Sequence, residues 1–275
     1  MRTGVRCVLA VIGAAASVVV TPADVSLAAS NQSHWFTIAS ILPARDEVVG
    51  VAHPVMVKFT APVTDSASRR AAERSVEVKS TPAMTGKFDW LDNDVVQWVP
   101  DRYWPSHSTI ALTVGGVSTE IKTGPAVVGV ANISDHTFTV SIDGVEAGPP
   151  TSLPAPHHRP HFGEQGVMPA SMGRPEYPTP VGSYTVLSKE PAVSMDSSSV
   201  GIPVDDPNGY LLTVNYAVRI TNRGLFVHSA PWAVSSLGLE NVSHGCISLS
   251  PDDAEWYYDH VNVGDPVIVQ DSTYN

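Results

Sequence analysis

The feature of this sequence that most limits its possible folds is the repeated alternation of apolar and polar residues over short segments. Val55–Phe59, Ile110–Val114 and Thr137–Ile142 all show it. Alternation with a period of two places the apolar side chains on one face of a strand. With 20 glycines and 23 prolines among 275 residues to supply turns, the pattern favours a mainly β fold with many short strands over a helical bundle.

The first half of the chain, residues 34–122, predicts a small β-sandwich. It shows no convincing helical period, and Ser75–Lys79 alternates like a strand. Gly86–Trp90 and Val95–Val99 are separated by a polar turn, as expected of an antiparallel hairpin. Four aromatic residues are read as core and rim of the sandwich rather than as a ligand-binding shelf: Trp90, Trp98, Tyr103 and Trp104.

The second half, residues 124–275, predicts a further β-rich domain with one or two short helices. Asp143-Gly144 suits a type I′ turn after the strand Thr137–Ile142. The polar passage Ser188–Gly209 is interpreted as a flap over a site. Ser250 followed by Pro251 and two acidic residues predicts a helix start, and a strand should follow near Val267–Val269.

The N-terminus has the pattern of a secretory signal peptide, residues 1–28. Arg2 and Arg6 precede an apolar run from Cys7 to Val20, and small residues follow at Ser26-Leu27-Ala28. The run is short for a membrane span, which needs about 20 apolar residues. We therefore expect an exported protein of the cell envelope, with an uncleaved anchor as the alternative.

Charge and histidine spacing limit the possible ligands. The formal net charge is −11, so nucleic-acid binding is disfavoured. His157, His158 and His161 lie in a proline-rich stretch without the spacing of a metal site, and a solvated loop is the default interpretation. We expect neither a metal nor a cofactor.

Cys246 carries most of the functional inference. Export would remove Cys7, leaving Cys246 as a lone thiol that is either inert and buried or reactive. His228 ends an apolar strand read as Gly224–Ser229, eighteen residues before the cysteine, and a histidine base would generate the attacking thiolate. Gly245 would permit an unusual turn whose amides supply an oxyanion hole. Zinc held by His228, His244 and Cys246 is a third alternative.

The segment from His228 to the Ser243-His244-Gly245-Cys246 motif resembles the signature of the L,D-transpeptidase family. The resemblance extends to three further segments, Met168–Gly173, Met195–Ser198 and Pro207–Tyr210, which look like the mycobacterial type. Such enzymes carry an immunoglobulin-like domain before the catalytic one, which the resemblance implies for residues 34–122.

The resemblance implies a cysteine-dependent enzyme that makes 3→3 cross-links in peptidoglycan. Cys246 would attack a donor tetrapeptide stem, release D-Ala, and pass the acyl group to the amine of a diamino-acid acceptor stem. Carbapenems would acylate the same cysteine. The resemblance also implies roles for individual residues. His228 would be the base, oriented by the backbone carbonyl of Ser229, and Met195 would cover the substrate. The acyl and oxyanion region would be formed by Tyr210, His244 and Gly245.

Two positions depart from the family pattern. Ser248, which the resemblance implies is part of the substrate-binding region, stands where the family usually has Asn or Arg, and Arg223 replaces a small residue. These changes leave two alternatives open: an L,D-carboxypeptidase that gives the acyl group to water, and a weakly active peptidoglycan-binding module.

Overall fold

The structure is a computed structural model that describes residues 36–149, 164 and 166–271. The predicted signal segment and the histidines at 157, 158 and 161 lie outside the described residues. Within the described ranges, no helix is long and apolar enough to cross a membrane.

Two four-stranded sheets and one helix make up the first part of the chain. In chain order the elements are β1 (Ile38–Leu42), β2 (Val48–Val49), β3 (Val55–Phe59), α1 (Ser66–Val76), β4 (Val78–Thr81), β5 (Gly86–Trp90), β6 (Val95–Pro100), β7 (Thr109–Val114) and β8 (Val117–Thr123). The sheet orders are β1-β3-β6-β5 and β2-β8-β7-β4. Their apolar faces enclose one core that includes Phe59, Trp98, Trp104 and Ile110. The predicted sandwich and the core placement of these two tryptophans are confirmed.

The prediction that residues 34–122 contain no helix is wrong, because α1 lies among them. The Asp65 carboxylate caps it by accepting hydrogen bonds from the amides of Ala67 and Ser68 at 3.0 and 2.9 Å. Only Ala72 and Val76 of the helix are buried, so too few apolar residues recur at helical spacing for the helix to be predicted from the sequence. For the same reason the predicted strand Ser75–Lys79 is wrong at its start, where α1 ends.

The second part of the chain contains the remaining two sheets. Its elements are β9 (Val127–Asn132), β10 (Thr137–Ile142), β11 (Val145–Glu146), β12 (Val167–Pro169), β13 (Gly182–Thr185), β14 (Ser188–Asp196), β15 (Leu211–Arg219), β16 (Phe226–Ser229), β17 (Ile247–Leu249), α2 (Pro251–His260) and β18 (Pro266–Gln270), with short 3₁₀ turns at Ser197–Val200 and Pro231–Ala233. One sheet has the order β11-β10-β9-β18-β13, with β12 also paired to β10. The other has the order β14-β15-β16-β17.

Helix α2 and the two sheets share a single core. Tyr257 of α2 packs edge to face on Phe138 of β10, with ring centroids 4.8 Å apart. The core extends to Val227 and Ile247 in the strands that carry the candidate site. The predicted helix start, the hairpin turn at Asp143-Gly144 and the mainly β fold class are all confirmed.

A close backbone contact joins the loop after β2 to the turn before β18. The amide of Gly50 donates to the Val263 carbonyl at 2.8 Å, and that of Ala52 donates to the Gly264 carbonyl at 2.8 Å. A Cβ atom on Gly50 would lie 2.1 Å from the Asp265 amide nitrogen, so the approach requires glycine. These hydrogen bonds therefore join the first part of the chain to the turn that leads into β18.

We predict that Ser250→Ala destabilises the protein by about 1–2 kcal/mol. The buried Ser250 hydroxyl accepts from the Asp253 amide at 3.1 Å and donates to the Asp253 carboxylate at 2.7 Å. Burial raises the pKa of Asp253 to about 6, and this hydrogen bond opposes the rise. Urea unfolding of the variant measures the loss. Ser75→Ala, at an exposed serine of α1, is the control, and equal stability of the two variants would contradict the prediction.

Candidate active site

The cysteine and the first histidine are brought together by a pair of parallel strands. In the register of β16 and β17, His228 pairs with Ser248, and Cys246 immediately precedes β17. Both side chains line a cavity of about 260 Å³, together with Tyr210 and Met195. The parallel pairing therefore places two residues that are eighteen positions apart at the same site.

The turn that presents Cys246 is closed by its own hydrogen bonds. The Ser243 hydroxyl donates to the Cys246 carbonyl at 2.7 Å and accepts from the Gly245 amide at 3.0 Å. Thr179 braces the turn from outside, since its hydroxyl donates to the Gly245 carbonyl at 2.7 Å. Gly245 has φ 117°, which a residue with a side chain rarely adopts. The Gly245 amide therefore donates within the turn, to the Ser243 hydroxyl.

The buried His228 ring is oriented as a proton acceptor. Its Nδ1 lies 2.8 Å from the Ser229 carbonyl. A carbonyl only accepts, so Nδ1 carries the hydrogen and Nε2 keeps a free lone pair. Burial lowers the pKa of His228 to about 4, and the hydrogen bond to Ser229 opposes part of that shift. The ring is therefore neutral at physiological pH.

The Cys246 thiol is also neutral at physiological pH. Burial raises its pKa to about 11. Its Sγ lies 3.7 Å from the Gly224 carbonyl, to which the thiol donates. The pair consists of a thiol and an imidazole rather than a preformed thiolate and imidazolium, so the proton must move as the sulfur attacks.

The segment interpreted as a flap is partly a strand. Its first nine residues, Ser188–Asp196, form β14. This strand pairs antiparallel with the next strand of the chain, β15, from Asp196 opposite Leu211 to Ser188 opposite Arg219. The rest is a loop whose two ends are fastened together. The Ser197 amide donates to the Tyr210 carbonyl at 3.0 Å, and the Tyr210 amide donates to the Ser197 hydroxyl at 3.0 Å. We call residues 197–210 the lid loop.

The lid loop places Tyr210 over the cysteine turn. Its ring lies 4.9 Å from that of His244, measured between centroids. Burial raises the pKa of the Tyr210 hydroxyl, and the charges of Cys246 and Asp196 add to the rise. The hydroxyl therefore stays protonated beside the thiol, as a hydrogen-bond donor to an oxyanion must.

A second cavity, of about 330 Å³, is also lined by Cys246. It shares Tyr210, His244 and Cys246 with the first cavity, so these three residues form a common wall. Arg223 is the one charged side chain that lines the second cavity among the described residues. Ser248 lines the first cavity at 2% exposure, with its backbone paired to Ser171.

The structure adds residues that sequence reasoning did not single out. Arg174 and Thr179 contact the cysteine turn, and the Asn241 side chain accepts from the Met172 amide at 2.9 Å and donates to the Ile133 carbonyl at 3.0 Å. Arg174 directly follows the Met168–Gly173 segment that resembled the family, and Thr179 lies six residues beyond the end of that segment. That proximity was the one sequence signal for them.

The donor set does not favour zinc. The Nε2 of His244 lies 2.8 Å from a guanidinium nitrogen of Arg174. A guanidinium at that nitrogen both occupies the lone pair and repels a metal cation. No three His, Cys, Asp or Glu side chains cluster as a metal site in the part of the chain that the structure describes.

Comparison with protein families identifies both parts of the chain. Residues 126–269 match the family described as the L,D-transpeptidase catalytic domain. Residues 19–118 match the family described as a bacterial Ig domain.

Individual relatives give the same result over nearly the whole chain. The chain is 74% identical over 271 residues to "Probable L,D-transpeptidase 3" of Mycobacterium tuberculosis, covering 98% of this chain and 100% of that protein. A crystal structure of L,D-transpeptidase 3 with a faropenem-derived adduct shares 76% identity at a TM-score of 0.82, covering 86% of this chain and 100% of that one. A structure of LdtMt1 in complex with imipenem shares 51% identity at a TM-score of 0.74, covering 85% and 98%.

Proposed function

Because the chain belongs to the L,D-transpeptidase family, we propose that it forms 3→3 cross-links in peptidoglycan through an acyl-enzyme on Cys246. The thiol attacks the carbonyl of the L-residue that precedes the terminal D-Ala of a donor tetrapeptide. The C–N bond to D-Ala breaks, and D-Ala leaves as the free amine. The side-chain amine of an acceptor stem then attacks the thioester and regenerates the thiol.

The observation that carries the proposal is the placement of Cys246 and a neutral His228 on one cavity. The free Nε2 of His228 accepts the thiol proton during attack and returns it to the leaving amine. The Tyr210 hydroxyl donates to the oxyanion. His244 and Gly245 shape the acyl site, and Met195 covers it from β14.

The two cavities fit a reaction with two substrates. Cys246 lines both cavities, so a donor stem would occupy one cavity while an acceptor amine approaches through the other. The first cavity is lined mainly by apolar side chains, among them Leu212, Val214 and Trp232. Apolar walls limit the access of water to a thioester and favour transfer to an amine over hydrolysis.

Product analysis tests the proposal against the two alternatives. The full chain is incubated with a tetrapeptide donor and an acceptor stem that has a free side-chain amine, and products are identified by mass spectrometry. Cross-linked dimers with released D-Ala support the transpeptidase. Trimmed stems without dimers would show the carboxypeptidase, and binding to purified peptidoglycan without either product would show the binding module.

We further propose that the protein acts in the cell envelope and that carbapenems acylate Cys246. The N-terminal signal pattern supports export, whether residues 1–28 are cleaved or retained as an anchor. The relatives in complex with imipenem and with a faropenem-derived adduct support covalent inhibition.

A further inference from the structure

Arg174 lies between the lid loop and the cysteine turn and contacts both. Its Nη2 donates to the Asn208 side-chain oxygen at 2.9 Å and lies 2.8 Å from Nε2 of His244. Its Nη1 lies 3.4 Å from the Val242 carbonyl, just before the turn. One guanidinium therefore joins two segments that are more than thirty residues apart from it and from each other.

The contacts of Arg174 leave little of its guanidinium for a ligand. The Nε atom lies 3.6 Å from the Glu176 carboxylate. The guanidinium carbon lies 4.8 Å from the centroid of the Tyr177 ring. Every nitrogen of the group has a partner within the protein, which fits a residue that holds its neighbours in place.

The same contacts fix the protonation of His244. A guanidinium only donates, and Arg174 faces both ring nitrogens of His244, with Nη2 2.8 Å from Nε2 and Nη1 3.4 Å from Nδ1. The shorter contact favours a neutral ring whose Nε2 lone pair accepts from Nη2. Burial is the larger cause that lowers the pKa of His244, and the charge of Arg174 lowers it further, while a hydrogen bond with the Asn208 backbone opposes both. The other titratable groups that face this ring or Arg174 are Glu176, Tyr177 and Tyr210, and Cys246 lies two residues along.

We propose that Arg174 is a positioning residue that latches the lid loop, at Asn208, to the His244 ring of the cysteine turn. The latch keeps the Tyr210 ring packed against the His244 ring, so the wall shared by the two cavities is in place before a substrate binds. Loss of the latch would misplace the Tyr210 hydroxyl relative to the oxyanion, which lowers the rate of acylation more than it weakens binding. This inference rests on the proposed acyl-enzyme at Cys246.

The test uses the full chain with imipenem as the acylating probe. The variants are Arg174→Gln, which removes the charge, Arg174→Lys, which keeps it, and Asn208→Ala, which removes the partner on the lid loop. Arg69→Gln is the matched control. Arg69 also covers an aromatic ring, at 4.7 Å from the Trp90 centroid, and donates to a backbone carbonyl at 3.0 Å, but it lies in the first part of the chain.

Two measurements distinguish positioning from a merely structural role. The first follows acylation by intact mass. It gives the acylation rate at saturating imipenem and the imipenem concentration at which the rate is half of that maximum. The second is the pKa of His244 from the NMR titration of its ring, identified by the resonance that His244→Gln removes. Each variant is first checked for cooperative thermal unfolding.

We expect Arg174→Gln to lower the saturating rate roughly tenfold, with a smaller change in half-saturation, and to raise the pKa of His244. Arg174→Lys should keep that pKa low and restore part of the rate. The effects of Arg174→Gln and Asn208→Ala should be less than additive, because both open one latch.

A wild-type rate and an unchanged His244 pKa in folded Arg174→Gln would overturn the inference, as would an equal loss in Arg69→Gln. If Arg174→Gln does not fold, Asn208→Ala decides, and an unaltered rate there would overturn it. Failure of the wild-type protein to acquire an adduct would instead overturn the proposed function, and the His244 titration would then decide the latch by itself.

Discussion

Cys246→Ala is expected to abolish D-Ala release, dimer formation and the imipenem adduct together. All three depend on the same sulfur, because Cys246 supplies the one thiol that lines either cavity among the described residues. Intact mass after incubation with imipenem gives the most direct measurement. The wild-type protein should gain one drug-sized increment and the variant none.

Two controls make this result specific. Cys7→Ala removes the other cysteine of the full chain and should leave the adduct unchanged. Cys246 is only half-buried, so Cys246→Ala should retain the unfolding transition of the wild-type protein. An adduct that persists in Cys246→Ala, or cross-linking by that variant, would contradict the assignment of the nucleophile.

His228→Gln is expected to lower the acylation rate by about 10² to 10⁴-fold, the usual contribution of a positioned general base. With the thiol pKa raised to about 11, few molecules carry a thiolate at neutral pH, so attack depends on the proton acceptor. His260→Gln is the matched control, since its Nδ1 also lies 2.7 Å from a backbone carbonyl but on the exposed end of α2. A loss of less than tenfold in His228→Gln would contradict its role as base.

The pH dependence of wild-type acylation should reflect the neutral pair. The base is available wherever His228 is unprotonated, which is above its pKa of about 4, and the thiol keeps its proton up to about 11. Between pH 5.5 and 9 the rate should therefore be nearly flat. His228→Gln should instead rise with pH, because only thiolate remains reactive. A wild-type rate that climbs tenfold per pH unit in this range would contradict the neutral pair.

Sequence reasoning predicted the parts of the fold that depend on local pattern. The α2 start at Ser250 and the turn at Asp143-Gly144 are fixed by residues within a few positions, whose side-chain and backbone preferences act locally. Helix α1 was missed because only Ala72 and Val76 of its residues are buried. The strand β14 was missed because β-pairing, not its own polar sequence, makes it a strand.

The sequence by itself identified the residue types of the site: Cys246, a histidine eighteen residues before it and the glycine that directly precedes the cysteine. Only the tertiary structure decided how these groups are charged and held. Burial sets the neutral state of His228 and Cys246, and burial depends on every segment that packs around them. Likewise, Arg174 and His244 are seventy residues apart in the sequence. They come into contact only because the fold places the lid loop and the cysteine turn on either side of the Arg174 guanidinium.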